Sequence, residues 1–487
     1  MYCGFITTLK NVRKHPNADK LMLAECYDNT VCVGLNSAEG EIGVYFPTDG
    51  QLSEEFCKQH DLVRRKDENG NPAGGYLDPE KRNIKAVKLR GEKSDGLFMP
   101  LSCLAYTGVN LDDLDIGTQI TIVNGHEICQ KYIPKSNLRS ARSGGGVGNR
   151  TRKHKDPVAP LFAEHADTEQ LVYNLSAFKP GDEIEITLKM HGTSQRTGHL
   201  PVLKGYADSW ACRVGNAFRH IMRKMGCYHG EDVHDGKPIY DYGYISGTRR
   251  VIMEDFEGGF YGSNEFREQH AKKFEGKLMK GETVYYEVVG FTHTGTPIMA
   301  SCDNKKLNDK DFIKQYGKET VFSYGCEPEA STLWEPDDEG DMSLVGRIKQ
   351  SDIYVYRMTM TNEDGFVVEY TPDFMRYRCE QMGVKTVPVL WKGTIPAETK
   401  HATVEETDTV TAGEWIKFIA EMFYDGPDPV GKTHVREGVV VRIINRPKFT
   451  AYKYKNFDFK VLSGIAIEAA ADAGITDDMS EDILAEM

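Results

Sequence analysis

Nowhere in the 487 residues do 18 apolar ones follow one another, which excludes a membrane-spanning helix of the usual length. The opening MYCGFITTLKNVRKHP lacks both an uninterrupted apolar stretch and a small-residue cleavage site, so it does not read as a secretory signal. A cytoplasmic protein is expected. The eleven cysteines include no Cys-x-x-Cys pair, are widely spaced and are odd in number, against both a disulfide framework and a zinc ribbon. Cys227, His229 and His234 lie close in sequence, but at a spacing that fits no standard zinc pattern, and they read as surface-loop residues. From Val461 to Met487 there is no Lys or Arg beside seven acidic residues, whereas Lys135 to Lys155 holds seven basic residues and no acidic one. The net charge of −13 falls to −6 without the acidic end. Local fields rather than totals attract phosphate, so the overall charge does not exclude a nucleic-acid partner.

What is present is the balance of a folded chain: 40% apolar and 27% charged residues, in a length that suits two to four domains. Residues 1–125 read as short strands between turns. LMLAECYDNTVCVG (21–34) is a hairpin pattern turning at Asp28-Asn29, and EIGVYFP (41–47), NIKAVKLRG (83–91), GLFMPL (96–101) and TQITIV (118–123) add strand candidates. Residues 64–82 form a polar loop pattern rich in Gly and Pro. This fits a small β-barrel of the OB type. Residues 126–160 then read as a basic, flexible linker, carrying four glycines and no aromatic residue between 136 and 156.

From about Leu161 to Lys460 the pattern becomes mixed α/β, so the predicted class is α+β. GDEIEITLKMHG (181–192) alternates as a strand that stops at a His-Gly turn. SWACRVGNAFRHIMRKMG (209–226) carries Trp210, Val214, Ala217, Phe218, Ile221 and Met225 at helical spacing. TVYYEVVGF (283–291), DIYVYRMTM (352–360), GFVVEY (365–370) and REGVVVRII (436–444) read as strands. Thr411 and Glu414 form a capping-box pattern ahead of a helix with Trp415, Phe418, Ile419, Met422 and Phe423 on one face. Residues 461–487 are an acidic tail.

Gly426-Pro-Asp-Pro-Val-Gly431-Lys432-Thr433 satisfies the P-loop expression. Its context is reversed, with a helix before it and a strand after, and Pro427 and Pro429 delete two backbone donors that a phosphate cradle needs. It reads as a helix-to-strand turn.

Lys189 ends a strand just before Gly192, and a lysine so placed projects its amine into a cleft. Alone it would pass for a solvated residue. Glu287, however, stands inside an otherwise apolar strand, where an unpaired carboxylate is costly, and Glu437 opens another apolar strand. Lys453 and Lys455 share one face of an extended segment. One nucleophilic lysine, two strand-borne carboxylates and a cationic pair suit attack on a phosphoryl centre. The amine must be unprotonated, the lysines balance charge at phosphorus, and a carboxylate holds a divalent metal.

Lys189-Met-His-Gly, TVYYEVVGF, Arg-Glu-Gly-Val-Val-Val and Lys-x-Lys, in that order, resemble motifs I, III, IV and V of the covalent nucleotidyltransferases: DNA ligases, RNA ligases and capping enzymes. IKAVKLRGEKSDGLFMPL (84–101), QKYIP (130–134), SGTRR (246–250), YGCEP (324–328) and VYR (355–357) sharpen the resemblance to ATP-dependent RNA ligases with an N-terminal OB module. It implies a nucleotidyltransferase (ATP-grasp-like ligase) domain over 161–460. Lys189 would carry the adenylate, Glu287 would bond the ribose, and Arg249 would contact the sugar or phosphates. Glu437 would bind Mg²⁺ or Mn²⁺, and Lys453 and Lys455 would hold the α-phosphate of ATP. His191 would act in the ATP-dependent step beside Gly192, and Tyr356, rather than Tyr354, would stack on adenine. Leu188 departs from the family, in which many members have Glu before the lysine.

Only 27 residues follow Lys460, too few for the further OB domain usual in DNA ligases and capping enzymes. This favours an RNA ligase; the resemblance implies sealing of 3′-OH to 5′-phosphate ends, on RNA or an RNA-containing nicked duplex with RNA on the 3′-OH side, and a monomer is expected. The rivals are a DNA ligase or guanylyltransferase with the same chemistry, and a non-catalytic RNA-binding protein led by the N-terminal module. That module's His15-Pro-Asn-Ala-Asp-Lys-Leu21 is similar to the entry string of OB-type tRNA-binding domains, and otherwise reads as a structural corner. Lys85, Lys88 and Arg90 are its candidate nucleic-acid contacts.

Overall fold

The computed structural model describes residues 2–66, 72–133, 156–228, 232–253, 256, 264–329, 332–336, 342–347, 350–400 and 409–472. Most of the expected linker and of the acidic tail therefore lies outside the described residues.

In the N-terminal unit, Gly4–Thr8 pairs antiparallel with both Ile42–Phe46 and Gln119–Ile120, and Leu97–Pro100 extends the far edge. The expected hairpin is Leu21–Cys26 with Asn29–Gly34. Its two turn residues are Tyr27 and Asp28, one position earlier than the sequence suggests, both with positive φ (47° and 60°) as a tight hairpin turn requires. Lys10–Lys14 joins that hairpin, so the chain from Gly4 to Lys14 serves two sheets. Asn11 makes the change of direction, with φ 51° and a register break between Lys10 and Arg13. Leu9, Ala24, Val31, Tyr45 and Phe98 form a buried cluster beside this corner.

The described strands separate into a four-stranded, a three-stranded and several two-stranded sheets, and their pairing does not close into the single barrel expected. The polar stretch 64–82 holds a short pairing of Arg64–Lys66 with Pro72–Gly74. Cys129–Lys131 pairs with Gly50–Leu52, so the unit's hydrogen bonding continues past residue 125.

The second unit holds two larger sheets. Strands β1 (Glu183–Leu188), β2 (Thr193–Tyr206), β3 (Pro238–Gly247), β4 (Glu282–Gly290), β5 (Ser351–Thr361), β6 (Val389–Thr394), β7 (Gly438–Ile443) and β8 (Thr450–Lys455) form their bodies. A seven-stranded sheet is built around β3-β2-β4-β5, and a five-stranded one runs β8-β7-β1-β6, with Glu169–Gln170 beside β8. The chain crosses from one to the other between Leu188 and Thr193, where the Lys-Met-His-Gly string lies. β4 and β5 are buried almost throughout, and the charged residues of β5 are paired, Asp352 with Lys385 and Arg357 with Glu369.

Four helices matter here: α1 (Trp210–Lys224), α2 (Pro372–Met382), α3 (Ala412–Tyr424) and α4 (Phe457–Asp472). The Thr411–Glu414 capping box forms at α3, with each side chain bonded to the other's backbone. Its most buried face is Ala412, Gly413, Ile416 and Ala420. Trp415, Ile419 and Phe423 flank that face while Met422 is exposed, so the helix is rotated from the face read in sequence. A Cβ on Gly413 would lie 2.1 Å from the Leu175 carbonyl oxygen, and this close approach sets the rotation.

After α3 the P-loop look-alike is a turn organised from within. Asp428 Oδ1 accepts from the backbone N–H groups of Val430 and Gly431, both at 2.8 Å. Those donors are engaged by the protein's own carboxylate.

The two units meet along a polar seam. Lys88 bonds Asp309 at 2.7 Å and Asp458 at 3.0 Å, Lys460 bonds Asp95 at 2.6 Å, and Phe5 stacks on Tyr173. Lys88 thus ties the units together rather than standing free for nucleic acid, and Arg90 bonds the Asn17 carbonyl. His15 is buried, with Nε2 3.1 Å from the Leu89 carbonyl oxygen and Nδ1 accepting from Asn17 N–H. It builds a corner.

Candidate active site

Antiparallel pairing places Leu188 opposite Val439 and Gly438 opposite Lys455. Lys189 donates its N–H to the Gly438 carbonyl, and Asn456 donates to the Glu437 carbonyl. Glu437 is therefore held between the strand ends that carry Lys189 and Lys455. Gly438 makes this possible: its φ is +139°, and a Cβ there would meet the Tyr454 carbonyl oxygen at 2.1 Å.

The side chains follow the backbone. Lys189 Nζ lies 2.9 Å from Glu437 Oε1, Lys455 Nζ 3.3 Å from the same oxygen, and His191 Nδ1 3.5 Å from Oε2. Glu437 is 3% exposed. Burial alone would raise its carboxyl, but Lys189, Lys455 and His191 outweigh that and hold it well below the ordinary carboxylate range. The imidazole of His191 is pushed down, first by burial and then by the two lysines, with Glu437 opposing. The ring stands edge-on to Phe322 and Phe459, and the backbone N–H of His191 donates to the Tyr324 hydroxyl at 2.8 Å.

Lys453 and Lys455 do lie on one side of β8, as the period of two predicts; Tyr454, between them, packs the other way with Tyr424 and Glu421. Burial lowers the amine of Lys453 to about 7, helped by Lys455, Lys189, Arg249 and Lys131. Lys455 is likewise penalised by burial, yet Glu437 and Asp49 raise it. Arg249 belongs to the same cationic field and bonds Asp167 at 2.8 Å. The amine of Lys131 is lowered by desolvation, with Asp49 opposing and Lys455 and Arg249 adding to the effect. A cavity of about 50 Å³ lined by Asp49, Asp95, Tyr173, Lys455 and Lys460 continues along this seam.

The seven-stranded sheet supplies the opposite half. Glu287 is the single partly exposed residue of otherwise buried β4, and it faces Ser194 across the ladder. Gly192 lets the strands close: a Cβ there would sit 2.3 Å from the Val288 carbonyl oxygen and 3.0 Å from Glu287 Cγ. Tyr356 is partly exposed, its hydroxyl 2.9 Å from Ser194 Oγ. Tyr354 is buried under the Lys385 ammonium. Leu188 is 1% exposed and packs with Met190, Val289 and Phe459, so that position serves the core.

The structure thus brings together Lys189, His191, Glu437, Lys453, Lys455 and Arg249, with Gly192, Glu287 and Tyr356 on the adjoining strands. Sequence reasoning missed Asp167, Tyr324, Asp49 and Lys131 as neighbours. Tyr324 and Lys131 fall in strings singled out above, whereas Asp167 sits in a polar stretch with no pattern. Of the weak metal candidate, His229 is outside the described residues, and His234 bonds Asp208 at 2.7 Å and stacks on Tyr206.

Glu437 Oε2 is buried and has no hydrogen-bond partner, since His191 at 3.5 Å is too far for a good one. A buried, anionic oxygen left unsatisfied is the kind of ligand a hard divalent cation takes.

No protein-family model and no curated protein matches the chain. Among solved structures, a Naegleria gruberi RNA ligase variant with AMP and manganese is 14% identical over 94% of this chain and 97% of that one, with a TM-score of 0.49. Another variant of that ligase, with ATP and manganese, is 14% identical over 95% and 98%, with a TM-score of 0.48. The ligase with pyrophosphate is 15% identical over 96% and 98%, with a TM-score of 0.47.

Proposed function

We propose that this chain is an ATP-dependent RNA ligase that joins 3′-OH and 5′-phosphate ends through a lysyl-AMP intermediate. The observation that carries the reading is the convergence of Lys189, Lys455 and His191 on the one buried carboxylate of Glu437, between 2.9 and 3.5 Å. A structural ion pair needs one cation; three basic groups around one carboxylate form a site prepared for additional negative charge.

Lys189 Nζ attacks the α-phosphorus of ATP, forming an N–P bond as the bond to pyrophosphate breaks. Lys453, Lys455 and Arg249 offset the charge that grows on the phosphoryl oxygens. Glu437, with its unsatisfied oxygen, would hold Mg²⁺ or Mn²⁺, whose charge would polarise the phosphate and favour the unprotonated, attacking form of the Lys189 amine. Glu287 bonds the ribose and Tyr356 stacks on adenine. A 5′-phosphate oxygen of the polynucleotide then takes the adenylate, breaking the N–P bond, and the 3′-OH displaces AMP.

The flanking strings IKAVKLRGEKSDGLFMPL (84–101) and QKYIP (130–134), similar to those of RNA ligases, support RNA as substrate, with nicks bearing RNA on the 3′-OH side the preferred junction. The N-terminal unit, which places Lys131 beside the phosphate lysines, supports a joint surface for the nucleic acid. No described helix is long and apolar enough to cross a membrane; a cytoplasmic monomer completes the reading.

The test is intact mass after incubation with ATP and magnesium, on protein first stripped with pyrophosphate. One adenylate should appear on the native chain and none on Lys189→Ala. An adduct with GTP alone would move the reading to a guanylyltransferase, and none with either nucleotide would end the covalent reading. Nicks with RNA or DNA at each terminus then define the substrate.

A further inference from the structure

Helix α1 presents its apolar side to solvent. It starts at Ser209, whose side chain caps Cys212 N–H, and its polar side is fastened to the returning loop. Asn216 donates to the Val233 carbonyl at 2.7 Å and accepts from Val233 N–H at 3.0 Å. Cys212 Sγ lies 2.8 Å from the same carbonyl, and Arg223 bonds Asp232 at 2.6 Å. The opposite side carries Trp210, Val214, Phe218, Ile221 and Met225, which are 49–76% exposed. No residue of the helix is buried, and no described residue covers that stripe. At 100° per residue, Arg213, His220 and Lys224 border it, and the helix has no acidic residue.

Such a face fits an apolar stripe edged with carboxylates. A second copy of α1 would bring like charges together and does not fit. The sequence holds one complementary segment. Residues 473–487 contain Asp477, Asp478, Glu481, Asp482 and Glu486 and no basic residue, while Ile475, Met479, Ile483 and Met487 recur every four positions. Those 15 residues follow α4 and span up to about 50 Å when extended.

We propose that the acidic segment 473–487 docks on the apolar face of α1, its carboxylates against Arg213 and Lys224. The contact is independent of the ligase reading, since α1 contributes nothing to the Lys189 site.

The experiment uses protein ending at Asp472 and a synthetic peptide of residues 473–487. Adding the peptide should shift Trp210 emission to the blue, with the signal assigned by a Trp210→Phe control. Added salt should weaken binding. Ile221→Glu, or Arg213→Glu with Lys224→Glu, should weaken it at least about tenfold. These positions are exposed, and unchanged adduct formation at Lys189 or an unchanged circular dichroism spectrum reports that the variants fold. In the full chain, hydrogen exchange over 210–225 should be slower than in the shortened one. Absence of peptide binding together with identical exchange in the two proteins overturns the proposal. So does a 20-nucleotide RNA or a phosphatidylserine vesicle that binds this face of the full chain and is not displaced by the peptide.

Discussion

Replacing Lys453 by Met should stabilise the nucleotide-free protein while impairing its reaction with ATP. The amine of Lys453 titrates at about 7 in the fold, against an ordinary 10.5. That difference corresponds to about 5 kcal/mol of work against charging it, and counter-ions and local relaxation will return part, leaving ~1–3 kcal/mol to be gained on removal. The sign follows from linkage. Between about 7 and 10.5 the unfolded chain holds a proton that the folded one has released, so this residue makes native stability rise with pH across that window. Below it both states are charged and the full penalty applies. Methionine removes the penalty, so the gain should be largest near pH 6.5 and should shrink towards pH 10. Urea unfolding of the Lys189→Ala and Lys189→Ala/Lys453→Met proteins, in buffers without phosphate or sulfate, measures this without bound adenylate. Nucleotide phosphates restore the ammonium form, so ATP binding near pH 8 should take up a proton, seen by calorimetry in buffers of different ionisation enthalpy. A Met variant less stable at both pH values, or equally stabilised at both, would refute the reasoning.

Gly192→Ala puts a methyl 2.3 Å from the Val288 carbonyl oxygen and 3.0 Å from Glu287 Cγ. It should cost ~1–3 kcal/mol in unfolding and slow adenylate formation by displacing Glu287. Arg378→Ala strips the two bonds, at 2.8 and 2.9 Å, that the fully buried Glu282 receives from Arg378. A loss of ~3–5 kcal/mol is expected in urea unfolding. Lys131→Ala should raise the KM for ATP about three- to tenfold, with little change in the kcat of adenylate formation, if its charge acts mainly on the incoming phosphates; an unchanged KM would remove the N-terminal unit from the phosphate site.

Part of the site was legible because Lys189, Glu287 and Glu437 each break a local rule, whereas His191, Arg249 and Tyr356 were named only through the resemblance. Glu287 and Glu437 are carboxylates where a strand wants apolar side chains, and Lys189 stands at a strand-to-Gly turn. Partners held by tertiary contact left no such mark: Asp167 looks like any surface acid until Arg249 is folded against it. The capping box at Thr411 was readable because it is local, but the rotation of α3 depends on Gly413 meeting Leu175, far away in sequence. The periodicity of 209–226 correctly predicts a helix without revealing that the apolar side faces outward. Which face is covered is decided by Val233 and Asp232 on the returning loop. In the N-terminal unit the strands were visible, but the corner at Asn11 and the pairing of Cys129–Lys131 with Gly50–Leu52 depend on backbone geometry between distant segments.

The passage between the two sheets has a mechanical side. The chain passes between the two sheets twice, out through Lys189 to Gly192 and back through Val387 and Pro388, and the Leu188 N–H donates to the Pro388 carbonyl at 2.9 Å, so the two passages lie side by side. Farther along, Arg376 of α2 on Glu185 and Arg442 on Glu369 add two more ties between the two halves. The candidate nucleophile is thus carried on a segment anchored to both sheets, which holds its amine in place relative to the groups that each sheet contributes.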